Sequence, residues 1–253
     1  MSHQFIKELK ASDNKYSHGT VCVVAGSKAY SGAAVLAVGG ARRGGSGYIN
    51  YLHLEKLPTF LVLRAYPDVV ARKTIANIHV DAWVIGPGSP KLTRNFQIPQ
   101  AAYAVLDASA ISLTSEINAQ WKVITPHAGE AKRLGYAVEE DQSDRRVAAL
   151  AMAKELGAVV VLKGAHTVIA TPSGNSLVDH EGGPELATAG SGDVLAGLIG
   201  SMLASWKPQR EEAVLDVVAR AVTMHSRAGQ KAAKKINPIT ATDLLEFLGK
   251  VDR

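Results

Sequence analysis

The chain has 253 residues, 47% hydrophobic and 20% charged, which is enough apolar material for one large core and too much for a disordered polymer. Its single cysteine, Cys22, excludes a disulfide framework and a thiolate metal cluster. The formal net charge of +5 is spread along the sequence, with the densest pieces at Arg42-Arg43, Arg145-Arg146 and Lys231 to Lys235. These pieces read as solvated helix faces, not as a nucleic-acid surface.

Met1 to Ser17 is polar and charged, and no run approaches the roughly 18 uninterrupted apolar residues of a membrane span. Strand-like and helix-like patterns then alternate. Thr20 to Ala25 is a continuous β-prone run ending at Gly26, and Ser31 to Arg43 reads as a small-residue helix stopped by Gly44-Gly45. Strands are expected at Tyr48 to His53, Phe60 to Arg64, Ala82 to Ile85, Tyr103 to Leu106 and Lys122 to Thr125. Helices follow at Ala128 to Leu134 and Ser143 to Leu156, then a strand at Val159 to Leu162.

Thr167 to Asp179, with Pro172-Ser173-Gly174-Asn175 in its middle, has the pattern of a β-hairpin. Three helices complete the chain, at Gly192 to Ser205, Arg210 to Lys234 and Ala241 to Gly249. In the first of these Val194, Leu195, Leu198, Ile199, Met202 and Leu203 form an apolar stripe, while Gly197, Gly200 and Ser201 permit close packing on another side. Several strands are apolar on both faces, as in a parallel sheet covered by helices. The expected class is α/β, with a central, mostly parallel sheet flanked by helices on both faces and mixed at one edge, in a single domain over 1–253.

In open α/β sheets ligands gather beyond the carboxyl ends of the strands. Chemically loaded segments fall there: Gly26-Ser27-Lys28, Gly86-Pro87-Gly88-Ser89, Asp107-Ala108-Ser109, Pro126 to Glu130, Lys163-Gly164-Ala165-His166, and Thr188 to Gly197. The last opens a helix with Gly190-Ser191-Gly192 and carries Asp193. Free backbone N–H groups at such a start bind anions, and the adjacent carboxylate can accept a proton, a pairing suited to phosphoryl transfer.

Each segment also has a plainer reading. Ser191 or Asp193 could simply cap the helix, and His127 with Glu130 could cap the next one. Lys163 could contact phosphate or mark the surface, and Gly86-Pro87-Gly88 could be only a tight turn. Asp107 could coordinate a cation or cap a helix, and the small residues from Ser31 to Ala34 could serve packing alone.

Together the segments resemble the ADP/ATP-dependent NAD(P)H-hydrate dehydratases of the ribokinase-like superfamily, from about Gly19 to about Phe247. The resemblance rests on Ala25-Gly26-Ser27, Tyr30-Ser31-Gly32-Ala33-Ala34, Ile85-Gly86-Pro87-Gly88, Ile124 to Glu130, Val161-Leu162-Lys163-Gly164 and the Gly190 turn. Related hydroxymethylpyrimidine kinases typically carry Asn where this chain has His127.

The resemblance implies a repair reaction in which hydrated NADH or NADPH regains its ring double bond at the expense of ADP or ATP. It implies Asp193 as catalytic base, with His127, Gly88 and either Ala34 or Ala33 at the hydrated dinucleotide. Lys163, Gly164, Ala165, His166, Thr167 and Gly192 would contact the adenine nucleotide, and the amides of Gly190, Ser191 and Gly192 the phosphoryl oxygens. Mg2+ would be held through water by Glu130. A homo-oligomer, such as a tetramer, is implied; composition and the lack of a long apolar run point to a cytoplasmic protein without nucleic-acid or membrane partner, and the epimerase domain sometimes fused to the family is expected to be absent. Rival readings are a vitamin or sugar kinase and a non-catalytic nucleotide-binding module.

The chain departs from the family pattern at three places. Asp107-Ala108-Ser109-Ala110-Ile111 stands where the family commonly has Asp-Ala-Asp-Ala-Leu, so one carboxylate is missing. Arg43-Gly44-Gly45-Ser46-Gly47 replaces Arg-Ala-Gly-Ala-Gly, and Ala128 stands where Pro follows the histidine.

Overall fold

The computed structural model describes residues 5–52, 54–75, 78–89, 92, 98–138 and 141–251. His53, the expected end of the second strand, lies outside the described residues.

The strands are β1 (Thr20–Val24), β2 (Tyr48–Leu52), β3 (Val70–Arg72), β4 (Ala82–Ile85), β5 (Ala101–Leu106), β6 (Ala119–Ile124), β7 (Val159–Leu162), β8 (Thr167–Ala170) and β9 (Ser176–Asp179). They form one sheet in the order β3-β2-β1-β4-β5-β6-β7-β8-β9. Neighbours from β3 to β7 pair in parallel, and β8 and β9 join as an antiparallel hairpin, so the sheet is mixed at the expected edge. The helices are α1 (Ser31–Ala41), α2 (Lys56–Ala65), α3 (Ala128–Arg133), α4 (Gln142–Leu156), α5 (Ser191–Trp206), α6 (Glu211–Ala233) and α7 (Ala241–Leu248). None among the described residues is long and apolar enough to cross a membrane.

Alternation along each strand divides the core in two. In β1, Val21 and Val23 join Val194, Leu198, Met202 and Val218 beneath α5 and α6, while Cys22 and Val24 join Ala149, Met152 and Ala153 of α4 on the opposite face. Burial on both faces explains why these strands read as unbroken apolar runs. The small residues of α5 serve contact with α1: a Cβ at Gly197 would stand 1.9 Å from the Ala37 carbonyl oxygen.

Phe60 to Arg64 is not a strand but part of α2. Pro58 sits in the first turn, where its missing N–H costs nothing, and Pro58 and Val62 are the buried positions, one helical turn apart. Phe60 is 58% exposed, which a strand buried on both faces would not allow. The edge strand β3 carries no comparable apolar run and has no counterpart in the sequence reading.

The strand order changes direction between β1 and β4, and the carboxyl ends of β1, β4, β5, β6 and β7 all open on the same side. Beyond β6 and β7 the register continues as a parallel bridge between His127 and Lys163, closed by the Lys163 N–H donating to the Pro126 carbonyl at 2.8 Å. Two side chains far apart in sequence are thereby placed side by side at the sheet's edge.

Candidate active site

The glycine turn is not a capped helix start. Gly190 occupies the N-cap of α5 in the left-handed region, with φ 92°, and no side chain caps the first-turn N–H groups. The Ser191 hydroxyl donates instead to the Leu186 carbonyl at 2.8 Å. The Ser191 N–H donates to the Thr188 carbonyl at 3.3 Å, and the other donors at the head of this 16-residue helix remain available to an anion, reinforced by the helix dipole.

Asp193 lies in that first turn. Burial, with the negative charge of Asp107 nearby, pushes its carboxyl up to about 7 against the pull of the Lys163 ammonium. A carboxyl poised there can take a proton near neutral pH.

Asp107, at the end of β5, is 4% exposed. Its Oδ1 accepts from the Thr125 hydroxyl at 2.6 Å and from Lys163 Nζ at 2.9 Å, and its side chain caps no helix. For Lys163, burial opposes the charged form, but Asp107, Glu130 and Asp193 outweigh it and hold the ammonium above the usual lysine range. A Cβ at Gly192 would lie 3.1 Å from Lys163 Nζ, so the cation stands directly over the anion-binding turn. Gly86 makes room for this arrangement: at φ 116°, a Cβ there would stand 1.9 Å from the Asp107 carbonyl oxygen.

His127 and Glu130 do form a cap, and they also face the cleft. The His127 Nδ1 accepts from the N–H groups of Gly129 at 3.0 Å and Glu130 at 3.3 Å, while Glu130 Oε2 accepts the His127 N–H at 2.9 Å. An accepting Nδ1 assigns the neutral ring's proton to Nε2. The side chain is 53% exposed.

Asp107, His127, Glu130, Lys163 and Gly190 to Asp193 line one cleft of about 440 Å³. A neighbouring cavity of about 230 Å³ holds Gly164, Ala165 and Thr167 and shares Lys163, Ser191 and Gly192 with the cleft. His166 is exposed, its ring centroid 5.3 Å from that of His180, and lines neither space. Gly88 packs directly on Ala33, where an added Cβ would come within 2.3 Å, beside the point where the strand order reverses. Ala34 is fully buried behind Gly26, so of the two alanines Ala33 retains some accessible surface. A larger cavity of about 1090 Å³, lined by Lys7, His18 and Arg227 among others, lies below the amino ends of β1 and β2, away from the helix terminus and its carboxylates.

Two residues that the sequence did not assign to the site support it. Arg145 does not belong to a solvated face: it is 9% exposed and donates from Nη2 to the carbonyls of Leu162 at 3.4 Å and Lys163 at 2.9 Å. His225 is 5% exposed, and its Nε2 lies 2.9 Å from the Ser191 carbonyl oxygen. It follows Val214, Val218 and Val222 at helical spacing on the buried face of α6, a signal present in the sequence.

Among the described residues no three His, Cys, Asp or Glu side chains form a ready-made metal cage. The carboxylates of Asp107, Glu130 and Asp193 nevertheless line the same cleft, a donor set that fits Mg2+, which keeps its waters and binds through one or two carboxylates and substrate phosphates.

The family model described as NAD(P)H-hydrate dehydratase matches residues 21–250. The chain is 40% identical over 217 residues to the bifunctional NAD(P)H-hydrate repair enzyme Nnr of Mycobacterium tuberculosis, covering 79% of this chain and 44% of that protein. It is 36% identical over 232 residues to the ADP-dependent (S)-NAD(P)H-hydrate dehydratase of Neisseria meningitidis, covering 81% and 76% respectively. A crystal structure of the Bacillus subtilis ADP/ATP-dependent NAD(P)H-hydrate dehydratase, co-crystallised with ATP/Mg2+, superposes with a TM-score of 0.80 at 28% identity, covering 96% of this chain and 92% of that one. The chain thus spans less than half the length of the mycobacterial protein and most of the length of the other two.

Proposed function

The chain belongs to the NAD(P)H-hydrate dehydratase family, with its ribokinase-like fold, and from that premise we propose that it dehydrates (S)-NADH-hydrate and (S)-NADPH-hydrate to NADH and NADPH. ADP, converted to AMP and phosphate, is the expected co-substrate, with ATP as the alternative. The observation that carries this reading is Asp193 in the first turn of an uncapped helix, beneath the Lys163 ammonium.

Hydroxide is a poor leaving group, whereas a phosphorylated oxygen leaves readily. Asp193 takes the proton of the ring hydroxyl as that oxygen attacks the terminal phosphorus, and the bond to the nucleotide's bridging oxygen breaks. The N–H groups of Gly190 and Gly192 and the Lys163 ammonium stabilise charge on the phosphoryl oxygens, with the Ser191 N–H shared with the Thr188 carbonyl. The ring nitrogen's lone pair then expels phosphate, and loss of a proton from the adjacent carbon restores the double bond. Mg2+, held by the phosphates and through water by Glu130, would supply further charge neutralisation there.

In this reading His127 presents its Nε2–H to the hydrated dinucleotide, which extends toward Ala33 and Gly88, with Ala34 buried behind them. Gly164, Ala165 and Thr167 border the nucleotide, while His166 lies outside the cavity that would hold it. A homo-oligomer in the cytoplasm, acting as one catalytic domain, belongs to the same proposal.

Incubation with hydrated NADH and ADP or ATP should return the absorbance of the reduced nicotinamide and release phosphate. Accumulation of a stable phosphorylated product without that return would instead mark a small-molecule kinase.

A further inference from the structure

The cavity beside the phosphate turn is about 230 Å³, smaller than the roughly 300–1,000 Å³ of a pocket for a whole ligand, so it suits one group of a ligand. It shares Lys163, Ser191 and Gly192 with the cleft and adds the apolar Leu195 and Val222. With phosphates on the Gly190 turn, as in the function proposed above, this adjoining cavity is the space open to the base.

Apart from Lys163, whose ammonium stands over the phosphate turn, the side chains offering hydrogen bonds to that base have their protons already committed. The Ser226 hydroxyl donates to Asp179 Oδ2 at 2.7 Å, and the Thr167 hydroxyl to the Gly164 carbonyl at 3.2 Å. His225 lines the same cavity and meets the Ser191 carbonyl through Nε2. A carbonyl only accepts, so Nε2 carries the proton. Burial pushes the imidazole down to about 4, against the Ser191 hydrogen bond and the Asp179 charge, so the ring is neutral and Nδ1 is an acceptor only. Three side chains from β8 and α6 thus present lone pairs and no free N–H or O–H.

We propose that His225 sets the base specificity of this site, its Nδ1 accepting from the exocyclic amino group of adenine and disfavouring a base with an oxo group or no substituent there. The inference rests on the nucleotide-binding reading above. It also makes His225 the side chain through which an occupied base pocket contacts Ser191, two residues before Asp193.

Calorimetric binding of ADP, purine riboside 5′-diphosphate and inorganic pyrophosphate tests it. The wild-type protein should bind ADP about tenfold or more tightly than the analogue lacking the amino group, as expected when a buried acceptor loses its donor. In His225→Phe the two nucleotides should bind alike, and pyrophosphate, titrated beside them, reads separately any loss from the missing bond to the Ser191 carbonyl. ADP binding without discrimination in the wild type, a comparison that needs no folded variant, overturns the inference alone. Discrimination that survives in His225→Phe overturns it as well. Failure of the wild type to bind either nucleotide overturns the nucleotide reading together with it.

Discussion

Lys163 Nζ lies 2.9 Å from Asp107 Oδ1, so the ammonium over the phosphate turn is bonded to a carboxylate other than the candidate base. Asp193 feels both charges, and with its burial they leave it near neutrality as a proton acceptor. The pair also fixes where the cation points before any ligand arrives.

Asp193→Asn should keep nucleotide binding and lower turnover by at least the ~10²-fold low end for loss of a general base. Binding calorimetry beside the absorbance assay checks this; unchanged turnover sinks the assigned role. The same substitution should alter stability with pH. Between the ordinary aspartate value of 3.8 and about 7 the folded state binds the Asp193 proton that the unfolded state has released, so wild-type stability from this group falls as pH rises through that window. The melting temperature of Asp193→Asn relative to wild type should therefore climb across the window and level off above it.

In Asp107→Asn the negative charge that helps raise Asp193 is gone, while Lys163 is freed to stabilise the Asp193 carboxylate. The acid limb of the kcat/KM profile, centred near pH 7 in the wild type, should move to lower pH, with a lower plateau because the ammonium has lost its anchor. A limb that stays in place would show that Asp107 has no electrostatic hold on the base.

His127→Asn separates two roles of one side chain. Asn is among the best N-cap residues, so α3 should keep its start and the melting temperature should change little. Turnover of hydrated dinucleotide should drop through a raised KM, while ADP affinity stays. A melting temperature that falls in step with activity would reduce His127 to a cap.

Arg145→Met should weaken ADP binding and lower stability by roughly 1.5–3 kcal/mol, the range for hydrogen bonds involving a charged group. Without the guanidinium the carbonyls of Leu162 and Lys163 lose a donor, and the turn carrying Lys163 loosens. Equal ADP affinity in variant and wild type would confine Arg145 to structure.

The apolar runs of β1, β4, β5 and β7 were legible because burial on both faces leaves an unbroken signature, and the glycine-rich segments marked the cleft because they follow the carboxyl ends of those strands, where ligands gather. The helix at Phe60 was not, since Phe60-Leu61-Val62-Leu63 is apolar throughout and only burial of Pro58 and Val62 reveals its period. Whether Ser191 would cap its own helix depended on a carbonyl at Leu186 within reach, and the pairing of Asp107 with Lys163 on three neighbouring strands. Arg145 looked like half of a surface doublet because its two carbonyl acceptors come from another element and leave no mark nearby in the sequence.

The reversal of direction after β7 has its own consequence. A further parallel strand would need a crossover of a dozen or more residues, whereas the antiparallel return leaves only Lys163 to His166 between Leu162 and Thr167. Both ends of that short span are held by the sheet, so its backbone is ordered at the time the chain folds. The roughly 1–2 kcal/mol per residue of conformational entropy that a loose loop would surrender at each encounter is not charged to ligand capture here. Lengthening this return by even a few glycines should therefore slow and weaken capture while removing none of the groups that touch the ligand.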